Sequence, residues 1–216
     1  MIDHRTNPNL PPPYLQLDPE IDKCESCAVA LALEFLHPYG GYGRQPRYGH
    51  SRAFLTWLSA KYQKEGSFKG IIKGLQEIGT VRESLYPTIP EHSNDREPAA
   101  GVIASADKVI SGIITINKAR DLPEFLETAP VIARIPWYEA FKKPGHGGVA
   151  RSIRNGGWSY HYVLIVGLVD IDGREHYVIS PHRGTGYGDR GYLYINRHFL
   201  ERIGNNSGFY QLLPLV

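Results

Sequence analysis

Apolar positions recur at helical spacing through the first part of the chain and at strand spacing through the second. The densest stretch is Lys23 to Leu36, KCESCAVALALEFL. Ser26 is a good N-cap residue, and from Cys27 onward the sequence is almost unbroken in apolar, helix-favouring residues. Only Glu34 interrupts it, and His37 with Pro38 closes it. A helix that is greasy all round is a buried one, so this stretch predicts a central helix around which the chain is organised. A second helical pattern starts at Ser51, with Phe54, Leu55, Trp57, Leu58 and Tyr62 on one side. The third has Ser67 as cap, then Phe68, Ile71, Ile72, Leu75 and Ile78, and stops at Gly79.

The period changes after residues 86–101, YPTIPEHSNDREPAAG, a polar and proline-rich connection. Val109 to Asn117 predicts a strand, Asp121 a short helix with Pro123 in its first turn, and Pro130 to Trp137 another strand. The run HYVLIVGLVD suits a strand covered on both faces. Asp172-Gly173 is a hairpin turn into HYVISP, and YLYINR follows the glycine-rich GTGYGDRG. Residues 1–20 are proline-punctuated and read as an extended strap, and 39–50 as a loop. The expected fold class is therefore α+β: a strap (1–20), a helical lobe (21–100) and a β lobe (101–216).

Composition narrows the function. A chain of 216 residues is long enough to bury a real core, and its net charge of +2 comes from interspersed charges without a basic run. Nucleic acid and membrane surfaces are therefore not expected partners. The apolar runs are too short to cross a bilayer, and the opening MIDHRTNPNLPPPYLQ lacks the apolar core of an export signal.

The two cysteines, Cys24 and Cys27, are in C-x-x-C spacing, which excludes a disulfide framework. A redox motif would want a preceding strand, and a structural zinc site a second ligand pair. Neither is present, so no metal or organic cofactor is expected. In the first turn of a helix, Cys27 would feel the positive end of the dipole, which favours thiolate, the nucleophilic form. The alternative on pattern alone is a small packed hydrophobe. Gly186, Gly188 and Gly191 fit G-x-G-x-x-G, yet they lead into a strand rather than a helix, so they are not a dinucleotide fingerprint.

CESC at 24–27, HYVLIVGL at 161–168 and PHRGTGYGDRGY at 181–192 match in order and flanking pattern nearly the whole of a known domain. The chain resembles the papain family of cysteine peptidases, in particular its short bacterial-type members. His161 follows Cys27 by 134 residues, within the range of papain-like enzymes. The resemblance implies a two-lobed fold in which a helical lobe, with its central cysteine-bearing helix, packs on an antiparallel β-barrel-like lobe across a cleft. It implies Cys27 as nucleophile and His161 as general base and later acid, acting on a peptide or protein substrate. Gly66 and Ser67 resemble the family's glycine-containing wall that binds extended substrate, or else form an ordinary helix cap. Trp158 lines the cleft or simply packs.

Two family positions differ. The glutamine that completes the oxyanion hole falls on Ile21, with Gln16 or Lys23 as nearby substitutes. The asparagine that orients the histidine falls on Pro181, so the tilt of His161 must be fixed otherwise. His182 is adjacent, but strand alternation would turn it to the opposite face. The shielding tryptophan falls on Arg183. A Cys24–Cys27 bridge would extinguish the nucleophile, so a reducing compartment such as the cytoplasm is expected. Two functions follow: an active peptidase using a Cys27/His161 dyad, or a pseudopeptidase that binds peptide or builds an assembly.

Overall fold

The computed structural model describes residues 1–13, 15–17, 23–38, 49–65, 67–89, 96–150 and 159–215. In chain order the elements are β1 (Ile2–Asp3), α1 (Cys24–Leu36), α2 (Arg52–Lys61), α3 (Ser67–Glu77), α4 (Ala100–Ala104), β2 (Ile110–Ile116), α5 (Leu122–Leu126), β3 (Val131–Trp137), α6 (Glu139–Lys142), β4 (Ser159–Ile171), β5 (Arg174–Ser180), β6 (Leu193–Asn196), α7 (Arg197–Ile203) and β7 (Gly208–Pro214). They form two compact units. One comprises Met1–Leu15 with Thr115–Gln211, the other Gln16–Ile114 with Leu212–Val216. The proline-rich connection at 86–101 thus falls inside the second unit.

In the helical unit, α1 is buried continuously from Glu25 to Glu34, as its all-round apolar surface requires. The helix starts earlier than its sequence suggests. Lys23 is its N-cap and offers no side-chain bond, while Ser26 lies inside the first turn. The Ser26 hydroxyl is used elsewhere: it accepts from Thr56 Oγ1 on α2 at 2.9 Å, which ties the two helices together. Glu25 supplies the negative charge that the helix start favours. Ser51 does cap α2, its Oγ accepting from the Phe54 N–H at 3.0 Å. Ser67 is the first residue of α3 rather than its cap. β2 lies beside the C-terminal residues, where the Leu215 N–H donates to Val109 O at 3.0 Å.

The other unit is built on an antiparallel sheet in the order β7-β3-β4-β5-β6. β4 is its spine, pairing with β3 through Ile135↔His161 and with β5 through Ile165↔Ile179. The β4–β5 hairpin turns on Asp172 and Gly173, both with positive φ (53° and 75°), the backbone that a two-residue primed turn demands. The first residues are more than a strap. β1 adds to β4 at Leu168 and Gly167, and a Cβ at Gly167 would meet Ile2 O at 2.5 Å. Arg5 then anchors the segment: it forks onto Asp3, donates to the Tyr194 hydroxyl and lies over the Tyr192 and Tyr194 rings. The glycine-rich segment 184–191 leads into β6 and opens no helix, which removes the dinucleotide reading. The short helices α4 and α7 and the strand β7 had no clear signal in the sequence.

Candidate active site

Cys27 is the fourth residue of α1, fully buried and in no disulfide. Because the helix begins at Cys24, the Cys27 N–H already bonds the Lys23 carbonyl at 3.0 Å. The residue therefore lies at the positive end of the helix dipole, but its own amide is not among the unpaired ones. Cys24 is half-buried, with its Sγ 3.4 Å from Glu25 Oε2. Lys23 serves as the N-cap, and its own N–H donates to Thr56 Oγ1 at 3.3 Å. Gln16 is half-buried in the same unit. Ser67 is exposed. Ile21, Gly66 and Trp158 lie outside the described residues.

His161 belongs to the sheet unit, near the start of β4, and is 9% exposed. Its Nε2 lies 3.0 Å from the main-chain oxygen of Pro181. A carbonyl can only accept, so Nε2 carries the proton in this geometry and Nδ1 is the lone-pair nitrogen of the neutral ring. Pro181 thus supplies through its backbone the acceptor that its side chain cannot. The Trp137 indole lies against the imidazole, centroids 4.7 Å apart and planes at 58°. Arg183, which takes the place of the shielding tryptophan of papain-like sequences, sits with its guanidinium 5.9 Å from the Trp137 ring centre.

His182 corrects the strand-alternation argument. Its φ is +59°, in the left-handed region, so it is not a continuation of β5 and the alternation rule does not apply to it. Its ring centroid is 6.2 Å from that of His161, and the residue is fully buried. The structure therefore gathers His161, Pro181, His182 and Trp137 in one unit, and Cys27, Lys23 and Gln16 in the other.

Trp137 is the residue that sequence reasoning missed. It stands two positions beyond Ile135 in VIARIPW and hence on the same face of β3. Only the Ile135↔His161 pairing reveals that this face is the one His161 occupies.

A buried, cysteine-bearing helix leading a helical unit, and a sheet unit whose long strand carries the histidine, define a papain-like α+β fold. No protein-family model matches the chain, and neither does any curated protein sequence. Solved structures do. Xylellain, a cysteine protease from Xylella fastidiosa, superposes with a TM-score of 0.77 at 18% identity, over 100% of this chain and 86% of that one. The bromelain protease from Ananas comosus, in complex with the E64 inhibitor, gives 0.72 at 16% identity over 98% and 97%. Digestive procathepsin L 3 of Tenebrio molitor larval midgut gives 0.73 at 18% over 98% and 69%. The papain-like fold expected from CESC, HYVLIVGL and PHRGTGYGDRGY is thus the fold the chain adopts.

Among the described residues, no helix is long and apolar enough to cross a membrane.

Proposed function

We propose that the chain is a cysteine peptidase in which Cys27 and His161 act as a pair. The Cys27 thiolate attacks the carbonyl carbon of a peptide bond. The C–N bond breaks as the His161 imidazolium protonates the leaving amine, and a thioester remains. His161 then takes a proton from water, the resulting oxygen nucleophile displaces the sulfur, and acid product and thiolate are released.

The observation that carries this reading is the Nε2–H bond from His161 to Pro181 O. The family's asparagine is replaced by Pro181, and a main-chain acceptor at that position supports a working histidine. Substrate would be a peptide or protein, and a reducing compartment such as the cytoplasm would preserve the thiolate.

A specific observation favours the second reading, a pseudopeptidase that binds peptide or serves as an assembly component. The Cys27 N–H, which the family uses as an oxyanion donor, is engaged by Lys23 O, and Ile21 replaces the glutamine. Treatment with a thiol-reactive peptidyl electrophile at neutral pH, followed by intact mass, separates the two. The peptidase reading expects one adduct on Cys27, formed faster than on a free thiol and abolished by His161→Ala. Labelling no faster than that of free cysteine removes it.

A further inference from the structure

Two of the groups beside the His161 ring are complementary in chemistry, and both come from the sheet unit. Pro181 O takes the Nε2 proton at 3.0 Å. Trp137 covers the ring at 4.7 Å and is itself 5% exposed. A hydrogen bond from imidazole to a carbonyl competes with water when exposed and strengthens when water is excluded. Trp137 is an expensive way to provide that cover, because its buried indole N–H has no acceptor among the described residues. The Trp137 and His161 planes meet at 58°, and the Arg183 guanidinium lies 5.9 Å from the centre of the same ring.

We propose that Pro181, through its main-chain carbonyl, and Trp137, through its ring, are the positioning groups of His161. They hold the imidazole as the Nε2–H tautomer and leave Nδ1 as the basic nitrogen. The catalytic use of that nitrogen rests on the peptidase reading; the tautomer and its cover do not. The orienting function thereby moves from a side chain to a backbone oxygen, and the shield from the glycine-rich segment to β3.

The test uses the full chain labelled with ¹⁵N. Imidazole ¹⁵N shifts, followed across the titration of His161, report which nitrogen of the neutral ring is protonated. The Nε2–H tautomer is expected in the wild type and in Trp137→Phe, which keeps an aromatic face. In Trp137→Ala the ring should become a mixture of tautomers, with its N–H exchanging with solvent about tenfold faster or more. Labelling of Cys27 should then slow by about 10- to 100-fold while Trp137→Phe restores it, as expected for a misoriented base.

A neutral wild-type ring protonated at Nδ1 would overturn the proposal, and this holds even if Trp137→Ala does not fold. So would a folded Trp137→Ala with wild-type tautomer and exchange rate. Slow labelling of Cys27 together with an Nε2–H tautomer would remove the peptidase reading and leave the positioning pair standing.

Discussion

Two buried histidines, His50 in the helical unit and His161 in the sheet unit, make the same ring contact in different surroundings. Each places Nε2 3.0 Å from a main-chain carbonyl, that of His37 for His50 and that of Pro181 for His161. Their remaining surroundings differ. His50 Nδ1 meets Thr80 Oγ1 at 3.4 Å, and its backbone N–H donates to Glu34 Oε1 at 2.5 Å, so it knits the end of α1 to the segment around Thr80. Burial pushes its pKa down to about 3, which keeps it neutral. His161 instead has the Trp137 indole against its ring and a second imidazole nearby. Burial and a satisfied ring nitrogen therefore do not by themselves separate the two. What distinguishes His161 is its place in the HYVLIVGL and PHRGTGYGDRGY pattern and the Trp137 indole beside its ring.

The sharpest way to break this comparison is to remove each ring. His161→Ala should slow Cys27 labelling by about 10²–10⁴-fold while folded, the usual worth of a positioned general base. His50→Ala should instead show only as lost stability, about 3 kcal/mol through a cavity and lost hydrogen bonds, as read by urea denaturation. Its labelling rate while folded should stay within about threefold of wild type. If both variants lose labelling equally, the division of roles fails.

Glu34 offers a smaller, pH-resolved test. Burial raises its pKa to about 7, against a hydrogen bond from the His50 N–H that opposes the shift. The folded state therefore binds more protons than the unfolded state between 4.5 and about 7, and stability falls as pH rises through that window. Glu34→Gln removes the ionisation while keeping an acceptor oxygen. It should stabilise by about 2–3 kcal/mol at pH 8 and by almost nothing near pH 4.5. An equal gain at both pH values would show that the carboxyl is not penalised by burial. Thr80→Val is the mildest change. Losing its long hydrogen bond to His50 should cost at most about 1 kcal/mol in the same denaturation experiment.

Much of the architecture was legible because the apolar period is strong where burial is strong. α2 with its Ser51 cap, β3, β4 and the Asp172-Gly173 hairpin stand where their patterns put them. The start of α1 was misjudged because Ser26 has the right chemistry for a cap, but Thr56 on α2 claims its hydroxyl. The N-terminal strand was missed because Ile2–Asp3 is too short to carry a period, and the small size of Gly167 is what admits it.

Taken alone, the order of residues determined the helical half and the β half, since periodicity is written in side chains, and its resemblance to papain-like motifs singled out Cys27 and His161 as a pair to test. Tertiary structure decided what holds His161: strand register brings Trp137 to its face, and Pro181 presents a backbone oxygen just before His182 turns left-handed. A main-chain carbonyl is the same atom in every residue. Only the path of the chain, and not the identity of a side chain, determines where it points.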